Sequence, residues 1–231
     1  MIILNFYPGL KPWEERRKSD PNFIIPNTKE GYEKLVEKKR PRYEKLLKYL
    51  KNVDFFSEPV TDIGVGGGEL EYILLKNQIA KNIVLTDYRK DFLDEFKDYF
   101  NEFTAASFEE INLPFDSEKI KTRRIFFHRA DNEFTSEKFE ELISKLFEEP
   151  ERELMFACTS VITPYLILRN IKYIILNFWR QDLIYKSTSG YSRSVSEYKK
   201  IAKKLKLNLK ISFLKGSTSE SNYNIYILKN S

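Results

Sequence analysis

Cysteine and histidine are almost absent from this sequence, which contains one of each, Cys158 and His128, in 231 residues. A single cysteine allows no disulfide within the chain and no cysteine-rich metal site. A single histidine excludes most zinc sites and most Ser-His-Asp chemistries. We therefore expect no bound metal and a reducing, cytoplasmic setting.

Long apolar runs are also missing. The segment Met1 to Phe6 is apolar, but it is too short for a signal peptide and lacks a basic region before it. The longest apolar stretch, 161–179, is interrupted by Arg169 and Lys172. A membrane span needs about 20 predominantly apolar residues, so we expect none here.

The composition is that of a folding sequence, with 42% hydrophobic and 32% charged residues. The length suits one α/β domain with extensions, or two small domains. Lysine, glutamate and isoleucine are abundant. This bias fits a protein from a thermophile, although an AT-rich genome would produce the same bias.

Charge is unevenly distributed along the chain. Residues 11–51 carry a net charge of +6 and residues 186–210 a net charge of +7, whereas residues 52–185 carry −9. Two basic segments can attract an anionic partner such as RNA. Two lysine-rich helices with solvated faces would produce the same counts, so both interpretations stay open.

The first 54 residues predict an N-terminal extension that caps or covers the main domain. Up to about Asn27 the segment is irregular and rich in proline. Apolar residues then recur at helical spacing from Tyr32 to Leu50. Because Pro41 cannot donate a hydrogen bond within a helix, we expect a break or kink there and thus a pair of helices.

Residues 55–231 alternate between strands and helices, which predicts an α/β domain with a mostly parallel seven-stranded sheet and helices on both faces. A terminal antiparallel hairpin is expected from two alternating segments separated by Gly216. The expected strands are 59–64, 82–87, a weak edge strand at 103–108, 124–129, 153–158, 207–214 and 223–228. The expected helices are 68–77, 91–103, 136–147 and 195–205, with a longer apolar helix at 161–179.

A glycine cluster, Asp62-Ile63-Gly64-Val65-Gly66-Gly67-Gly68, lies where the first strand of this domain ends and the next helix begins. Glycines allow the backbone to turn tightly and to approach a ligand closely. Asp87 ends the following strand, where a carboxylate can bind the diol of a ribose. This order of features predicts a site for a nucleoside-type cofactor, and the alternative is a glycine turn without a ligand.

Two acidic residues restrict the kind of cofactor. Glu69 stands where a dinucleotide fingerprint requires glycine or alanine, and Asp62 adds a second carboxylate beside the loop. Two carboxylates would repel a pyrophosphate, whereas a cofactor that carries a sulfonium and an ammonium group would not be repelled. No Gly-Lys-Ser/Thr sequence follows the glycines, so the loop is not a Walker A motif.

The acid-x-Gly-x-Gly-x-Gly pattern resembles that of the class I S-adenosylmethionine-dependent methyltransferases, and the resemblance covers about residues 55–229. The terminal hairpin matches the last strand of that family, which inserts antiparallel. The resemblance implies S-adenosylmethionine as cofactor, with its methionine part on the glycine loop, its ribose on Asp87 and its adenine near Tyr88 and the end of the third strand. The cofactor residues implied in this way are Asp62, Gly64, Val65, Gly66, Gly68, Asp87, Tyr88, Phe108 and Glu109, together with Arg129 for the cofactor carboxylate.

The segment 128–133 follows the fourth strand and is expected to lie beside the transferred methyl group. It lacks the Asn-Pro-Pro-Tyr and Pro-Cys motifs of enzymes that methylate nucleobases. His128 and Asp131 are the best candidates for a general base, which methylation of an oxygen requires. His128 can instead be a strand-end residue satisfied by the backbone, and Asp131 can cap a turn. Cys158 ends the fifth strand and is more readily explained as a core residue than as a nucleophile.

Residues 160–194 form an insertion of the kind that shapes the acceptor pocket in this family. It supplies aromatic side chains and arginines, which suit a small-molecule or glycan-like acceptor. The apolar helix 161–179 within it is expected to be core or the surface of a homodimer. The aromatic and basic residues of the insertion are Tyr165, Trp179, Arg180, Tyr185, Tyr191 and Arg193.

The sequence thus predicts an S-adenosylmethionine-dependent methyltransferase that acts at an oxygen atom of a small or glycan-like molecule. RNA is the alternative acceptor because of the two basic segments. A methyltransferase-like subunit without catalytic activity is the alternative of a different class.

Overall fold

A computed structural model of the chain describes residues 25–131, 134–158, 193, 195–216 and 222–230, although not the side chain of Phe92. The predicted helix 161–179 and most of the predicted insertion lie outside these residues. None of the described helices has both the length and the apolarity required to cross a membrane.

The described residues form one seven-stranded sheet, and its strands are β1 Val60–Ile63, β2 Ile83–Asp87, β3 Ala106–Glu110, β4 Arg124–His128, β5 Glu153–Cys158, β6 Leu207–Leu214 and β7 Tyr223–Asn230. They lie in the order β3-β2-β1-β4-β5-β7-β6. The first five in chain order pair in parallel, and β7 pairs antiparallel with both β5 and β6. The predicted mostly parallel sheet with a terminal hairpin is therefore confirmed.

The described part of the chain contains five α-helices, which are α1 Lys29–Asn52, α2 Glu69–Lys76, α3 Lys90–Phe96, α4 Ser136–Leu146 and α5 Val195–Lys204. Two separate hydrophobic clusters place them on the two faces of the sheet. Successive side chains of a strand point to opposite faces. Accordingly, Phe126 packs in the first cluster with α1, α2 and α3, and Phe127 packs in the second with α4 and α5.

Helix α1 is a single helix of 24 residues that contains Pro41, so the predicted pair of helices is wrong. The hydroxyl of Thr28 caps the helix by accepting a hydrogen bond from the Gly31 amide at 3.1 Å. Buried residues lie on both sides of Pro41, from Tyr32 to Leu50, and they pack in the first cluster together with residues of the sheet. Because both halves pack on one core, packing outweighs the hydrogen bond that the proline removes.

Two further boundaries differ from those predicted. Helix α3 ends at Phe96, and a 3₁₀ turn Lys97–Phe100 follows where the α-helix was expected to continue to residue 103. Strand β3 begins at Ala106 and ends at Glu110, so it lies two to three residues later than the predicted edge strand. Phe103, which was expected on the helix, instead packs against Tyr72 and Phe100 in the turn that leads into β3.

Candidate functional site

The strand order reverses between β1 and β4, because the chain continues from β1 to β2 on one side and reaches β4 on the other. In open α/β sheets, a crevice at the carboxyl ends of the strands forms at such a reversal and is the usual place for a ligand. The glycine turn follows β1, and His128 is the last residue of β4. Both predicted parts of the site therefore flank this crevice.

The glycine turn has a backbone that other residues rarely adopt. Gly64, Gly66 and Gly68 have φ angles of +69°, +59° and +71°. The amides of Gly64 and Val65 both donate to the Thr86 carbonyl oxygen at 3.0 Å, which holds the turn against β2. The turn is thus fixed by the neighbouring strand.

The surroundings of these glycines differ. A Cβ atom at Gly64 would lie 2.9 Å from the Cβ of Ala130, so this position needs glycine for packing against the loop after β4. A Cβ atom at Gly66 would meet no atom of the described residues within 4 Å. Backbone that faces open space at a turn of this kind is suited to close approach by a ligand.

Gly68 is enclosed by aromatic side chains. A Cβ atom there would lie 3.0 to 3.2 Å from Phe96, the hydroxyl of Tyr32 and Phe100. The Tyr32 hydroxyl also donates to the Gly67 carbonyl oxygen at 2.7 Å. Helix α1 therefore supports the glycine turn directly, a contact that its helical spacing in the sequence did not reveal.

Asp62 lies in β1 with none of its surface exposed, and its register partners are Leu85 and Phe126. Within the described residues, neither of its carboxylate oxygens has a hydrogen-bond partner of good geometry, although the Ile63 backbone and the Glu71 carboxyl lie close enough to lower its pKa. Glu71, in the first turn of α2, is 1% exposed, and its Oε1 atom is also without a described partner. The sequence pattern drew attention to Asp62 but gave no sign of Glu71, because the two meet only through folding.

Burial raises the pKa of the Asp62 carboxyl above its usual range, and interaction with Glu71 offsets part of the rise. Burial, followed by the charge of Asp62, raises the pKa of the Glu71 carboxyl well above its usual value. Two like charges at close range in a low-dielectric interior cannot both be ionised at low cost. The two residues therefore behave as one acidic unit beneath the glycine turn.

Asp87 ends β2 and is 7% exposed. Its Oδ1 atom accepts a hydrogen bond from the Arg89 amide at 3.1 Å, and the Arg89 Nε atom lies 3.9 Å from the same oxygen. The neighbouring Tyr88 is 49% exposed, and the Arg89 guanidinium lies 5.7 Å from the centre of its ring. Arg89 was not predicted as a site residue, although it directly follows Asp87 and Tyr88 in the sequence.

Phe108 and Glu109 lie inside β3, opposite Leu85 and Thr86 of β2, and not at its carboxyl end. Phe108 packs against Phe96 and Phe100 at ring distances of 5.9 and 5.6 Å. The residue that reaches the level of Asp87 is Glu110. The shift follows from the later start of β3, and it places Phe108 within the packing of the first cluster.

His128 lies among aromatic rings on the α1 side of the sheet, 5.6 Å from Tyr43, 6.0 Å from Tyr223 and 6.4 Å from Phe126 between ring centres. Its Nε2 atom is buried and has no hydrogen-bond partner among the described residues. Burial, assisted by the charge of Arg129, lowers the pKa of the imidazole well below its usual value. The ring is therefore neutral at neutral pH.

Arg129 follows His128 with a φ angle of +61°, an uncommon conformation for a residue with a side chain. Its guanidinium donates to the Tyr223 hydroxyl at 3.2 Å and lies 5.5 Å from the centre of that ring. Tyr223 begins β7, which runs antiparallel and so starts at the carboxyl edge of the parallel strands. The terminal hairpin thus contributes a side chain to the crevice.

Asp131 belongs to the other side of the sheet. Its carboxylate accepts a hydrogen bond from the Tyr198 hydroxyl at 2.9 Å and lies 3.9 Å from a guanidinium nitrogen of Arg193. Tyr198 packs in the second cluster, whereas Phe126 and Tyr223 beside His128 pack in the first. The two predicted general bases are therefore held by different faces of the sheet.

Cys158 and Arg193 also belong to this second group. The Cys158 thiol contacts the Tyr198 hydroxyl at 3.3 Å, and burial raises the pKa of the thiol well above its usual value. A neutral, buried thiol suits a core residue and not a nucleophile. Arg193 donates to the carbonyl oxygens of Asp131 and Phe134, so it holds the loop after β4.

No protein-family model and no curated protein matches this chain. Solved structures resemble it closely in fold. The magnesium protoporphyrin IX methyltransferase of Synechocystis with bound S-adenosylhomocysteine matches with a TM-score of 0.59 and 15% identity, over 83% of this chain and 86% of that protein. The pyocyanin biosynthetic protein PhzM matches with a TM-score of 0.65 and 12% identity, over 96% of this chain and 62% of that protein.

Human N-acetylserotonin methyltransferase, in complex with S-adenosylmethionine, matches with a TM-score of 0.59 and 14% identity. The match covers 88% of this chain and 56% of that protein, so the chain spans little more than half of the human enzyme. At such identities the likeness establishes the fold. The chain has the Rossmann-like fold of the class I S-adenosylmethionine-dependent methyltransferases.

Proposed function

We propose that this protein is an S-adenosylmethionine-dependent methyltransferase that acts at an oxygen atom of a small-molecule or glycan-like acceptor. The observation that carries the proposal is the glycine turn at the reversal of the strand order, with open space beside Gly66 and the carboxylate of Asp87 at the next strand end. Solved methyltransferases that share the fold support it.

The residues at the crevice fit this cofactor. The open backbone at Gly66 provides room for its methionine part, and Asp87 provides an acceptor for ribose hydroxyls. The buried acidic unit of Asp62 and Glu71 favours a cationic group nearby and disfavours a phosphate. Tyr88, which is half-exposed beside Asp87, offers an aromatic side chain for the adenine. When bound, the cofactor supplies a methyl group on a positively charged sulfur.

His128 is our preferred general base. Its imidazole is neutral and its buried Nε2 atom lacks a described partner, and we propose that this nitrogen takes the proton of an acceptor hydroxyl. Asp131 already accepts a hydrogen bond from Tyr198 and is held from the other face of the sheet. We therefore assign Asp131 the task of positioning the loop after β4.

Arg129 is proposed to orient an anionic group in the crevice. Its guanidinium is directed towards Tyr223 at the carboxyl edge, where the carboxylate of the cofactor or an acid group of the acceptor would bind. The uncommon backbone conformation of Arg129 is of the kind that is retained at functional sites. Phe108 and Glu109 remain proposed adenine contacts through the backbone of β3.

Calorimetric titration with S-adenosylhomocysteine tests the cofactor assignment. We expect Asp87→Asn to weaken binding about tenfold to a hundredfold, since a hydrogen bond to a charged group contributes about 1.5–3 kcal/mol. Asp94→Asn is the matched control, because Asp94 is a half-exposed residue of α3 that pairs with Lys97. Unchanged affinity in Asp87→Asn, or no binding by the parent protein, would overturn the assignment.

The acceptor is tested by transfer of labelled methyl groups to fractions of a cell extract. We expect label in the small-molecule or glycan fraction, and we expect His128→Asn to bind cofactor normally but to lose transfer. Label in RNA would favour the alternative that the basic segments suggested. No transfer to any fraction, despite cofactor binding, would favour a subunit without catalytic activity.

RNA is the less favoured acceptor because several basic side chains of α1 already have acidic partners. Lys29 pairs with Glu102 at 3.0 Å, and Arg40 pairs with Glu37 at 2.7 Å. Lys39 is paired with Glu69 beside the glycine turn. Phosphate binding requires cations that are available to the backbone of the nucleic acid. A homodimer through residues 161–179, a cytoplasmic setting and an origin in a thermophile stay predictions.

A further inference from the structure

The carboxyl groups of Asp62 and Glu71 lie in the interior of the described chain with few compensating contacts. Asp62 is fully buried and Glu71 is 1% exposed, and three of their four carboxylate oxygens have no hydrogen-bond partner within the described ranges. Burying an ionised carboxylate without a partner is costly, so such groups are normally paired or neutralised. The pair therefore requires either a cation or a proton.

Among the described residues, no cation is a leading influence on the pKa of either carboxyl group, and the nearby guanidinium groups of Arg129 and Arg42 act on Tyr223. The groups that interact electrostatically with Glu71 are Asp62 and Glu69, which are acidic, and the tyrosines Tyr32, Tyr43 and Tyr223. Lys39 of α1 is paired with Glu69. The partial positive charge at the start of α2 favours one carboxylate there, but it is too small to compensate two.

We infer that Asp62 and Glu71 share one proton in the empty protein and release it when an ammonium group binds at the glycine turn. This rests on the proposed function, since the ammonium is that of the cofactor's methionine part. Asp62 stands two residues before Gly64, and consecutive Cα atoms are about 3.8 Å apart, so the turn lies within about 8 Å of the acid. At that range in a poorly polarisable interior, a positive charge strongly favours ionisation of both carboxyls.

The inference links cofactor affinity to pH in a defined direction. Below the pH at which the pair ionises in the empty protein, binding must displace a proton, so affinity rises about tenfold for each unit of pH. Above that pH no proton remains to be displaced and the affinity is level. Both carboxyl groups have raised pKa values, so the pH range over which the affinity changes lies above that of ordinary carboxyl groups.

Calorimetry in two buffers of different ionisation enthalpy measures the protons released on binding. For S-adenosylhomocysteine we expect release approaching one proton per site at a pH inside this range. Methylthioadenosine, which has the same nucleoside but no ammonium group, should bind with no release. Release with both ligands would assign the proton to another group and overturn the inference.

Two variants locate the proton. Glu71→Gln should abolish proton release and flatten the pH dependence of affinity, while the ligand still binds. Glu33→Gln is the matched control, because Glu33 accepts a hydrogen bond from Tyr72 of the same helix at 2.7 Å and does not face the pair. We expect the control to release protons as the parent does.

The outcomes separate this inference from the proposed function. Absence of binding by both ligands in the parent protein would overturn the proposed function and the inference together. Binding of S-adenosylhomocysteine without proton release, or with equal release in Glu71→Gln, would overturn the inference alone. If Glu71→Gln fails to fold, Asp62→Asn gives the same test, because removal of either acid leaves one carboxyl.

Discussion

At the scale of single residues, the site contains groups with uncommon backbone conformations, uncommon burial or shifted pKa values. Three glycines of one turn have positive φ angles, and two acids beneath the turn lack described hydrogen-bond partners. A neutral imidazole with a buried, unpartnered Nε2 atom lies at the end of β4. Such departures cost stability, and they concentrate where a ligand is expected to compensate them.

The glycines allow a prediction that separates packing from ligand contact. Alanine in the left-handed region costs about 1–2 kcal/mol, so Gly66→Ala should lower the free energy of unfolding by that amount. We also expect it to weaken cofactor binding at least tenfold, because its methyl group would enter the open space beside the backbone. Urea denaturation and calorimetric titration measure the two effects.

Gly64→Ala serves as the comparison. It has the same backbone strain, but its methyl group would also meet the Cβ of Ala130 at 2.9 Å, so the loss of stability should be larger than for Gly66→Ala. Replacing Ala130 by glycine in that background should recover part of the loss, as a positive coupling in a double-mutant cycle. Equal stability losses and normal cofactor affinity in Gly66→Ala would contradict the assignment of open space to a ligand.

At the scale of elements, helix α1 shows how tertiary packing overrides a local signal. Proline within a helix removes a hydrogen bond and clashes with the preceding turn, which is why a break was predicted at Pro41. The residues on both sides of it nevertheless bury apolar and aromatic side chains on one core, and Tyr32 also bonds to the glycine turn. The bounds of strand β3 were also predicted incorrectly, because a short, half-exposed edge strand has only a weak alternation of apolar and polar residues.

Removal of this proline should stabilise the protein. Proline is about 3 kcal/mol less favourable than alanine inside a helix, and part of this is offset by the smaller entropy of its unfolded chain. We expect Pro41→Ala to raise the free energy of unfolding by about 2 kcal/mol. Urea denaturation measures it, with the exposed Lys38→Ala of the same helix as a control that should change stability by less than about 0.5 kcal/mol. A loss of stability in Pro41→Ala would mean that the helix requires the proline geometry.

At the scale of the whole molecule, the two faces of the sheet hold different parts of the site. The face that carries α1, α2 and α3 contributes the glycine turn, the acidic pair and the surroundings of His128. The face that carries α4 and α5 fixes the loop after β4 through Asp131, Tyr198 and Arg193. Both faces contain buried titrating groups, and those of the first face include Glu71 and His128.

The pH dependence of unfolding follows from the directions of their pKa shifts. Glu71 binds its proton more tightly when folded, so its contribution to stability is lost as pH rises from its usual pKa to the raised one. His128 binds its proton less tightly when folded, so stability is lost as pH falls below about 6.5. The difference in the free energy of unfolding between Glu71→Gln and the parent should therefore shift in favour of the variant when the pH is raised from 4 to 8.

His128→Asn tests the predicted loss of stability at acid pH. Between about pH 6.5 and 5, the stability of this variant should depend less on pH than that of the parent, as measured by urea denaturation without ligand. Parallel curves for the parent and both variants would show that neither group is perturbed in the folded state.

The sequence by itself determined the order of strand, glycine turn, helix, strand and Asp87, together with the class of fold. These features are local, because periodicity and glycine placement act over a few residues. The tertiary structure alone decided that Glu71 meets Asp62, that Tyr32 supports the turn, and that His128 and Asp131 belong to opposite faces. Those relations join residues from different elements, and only packing of the whole chain around the sheet brings them together.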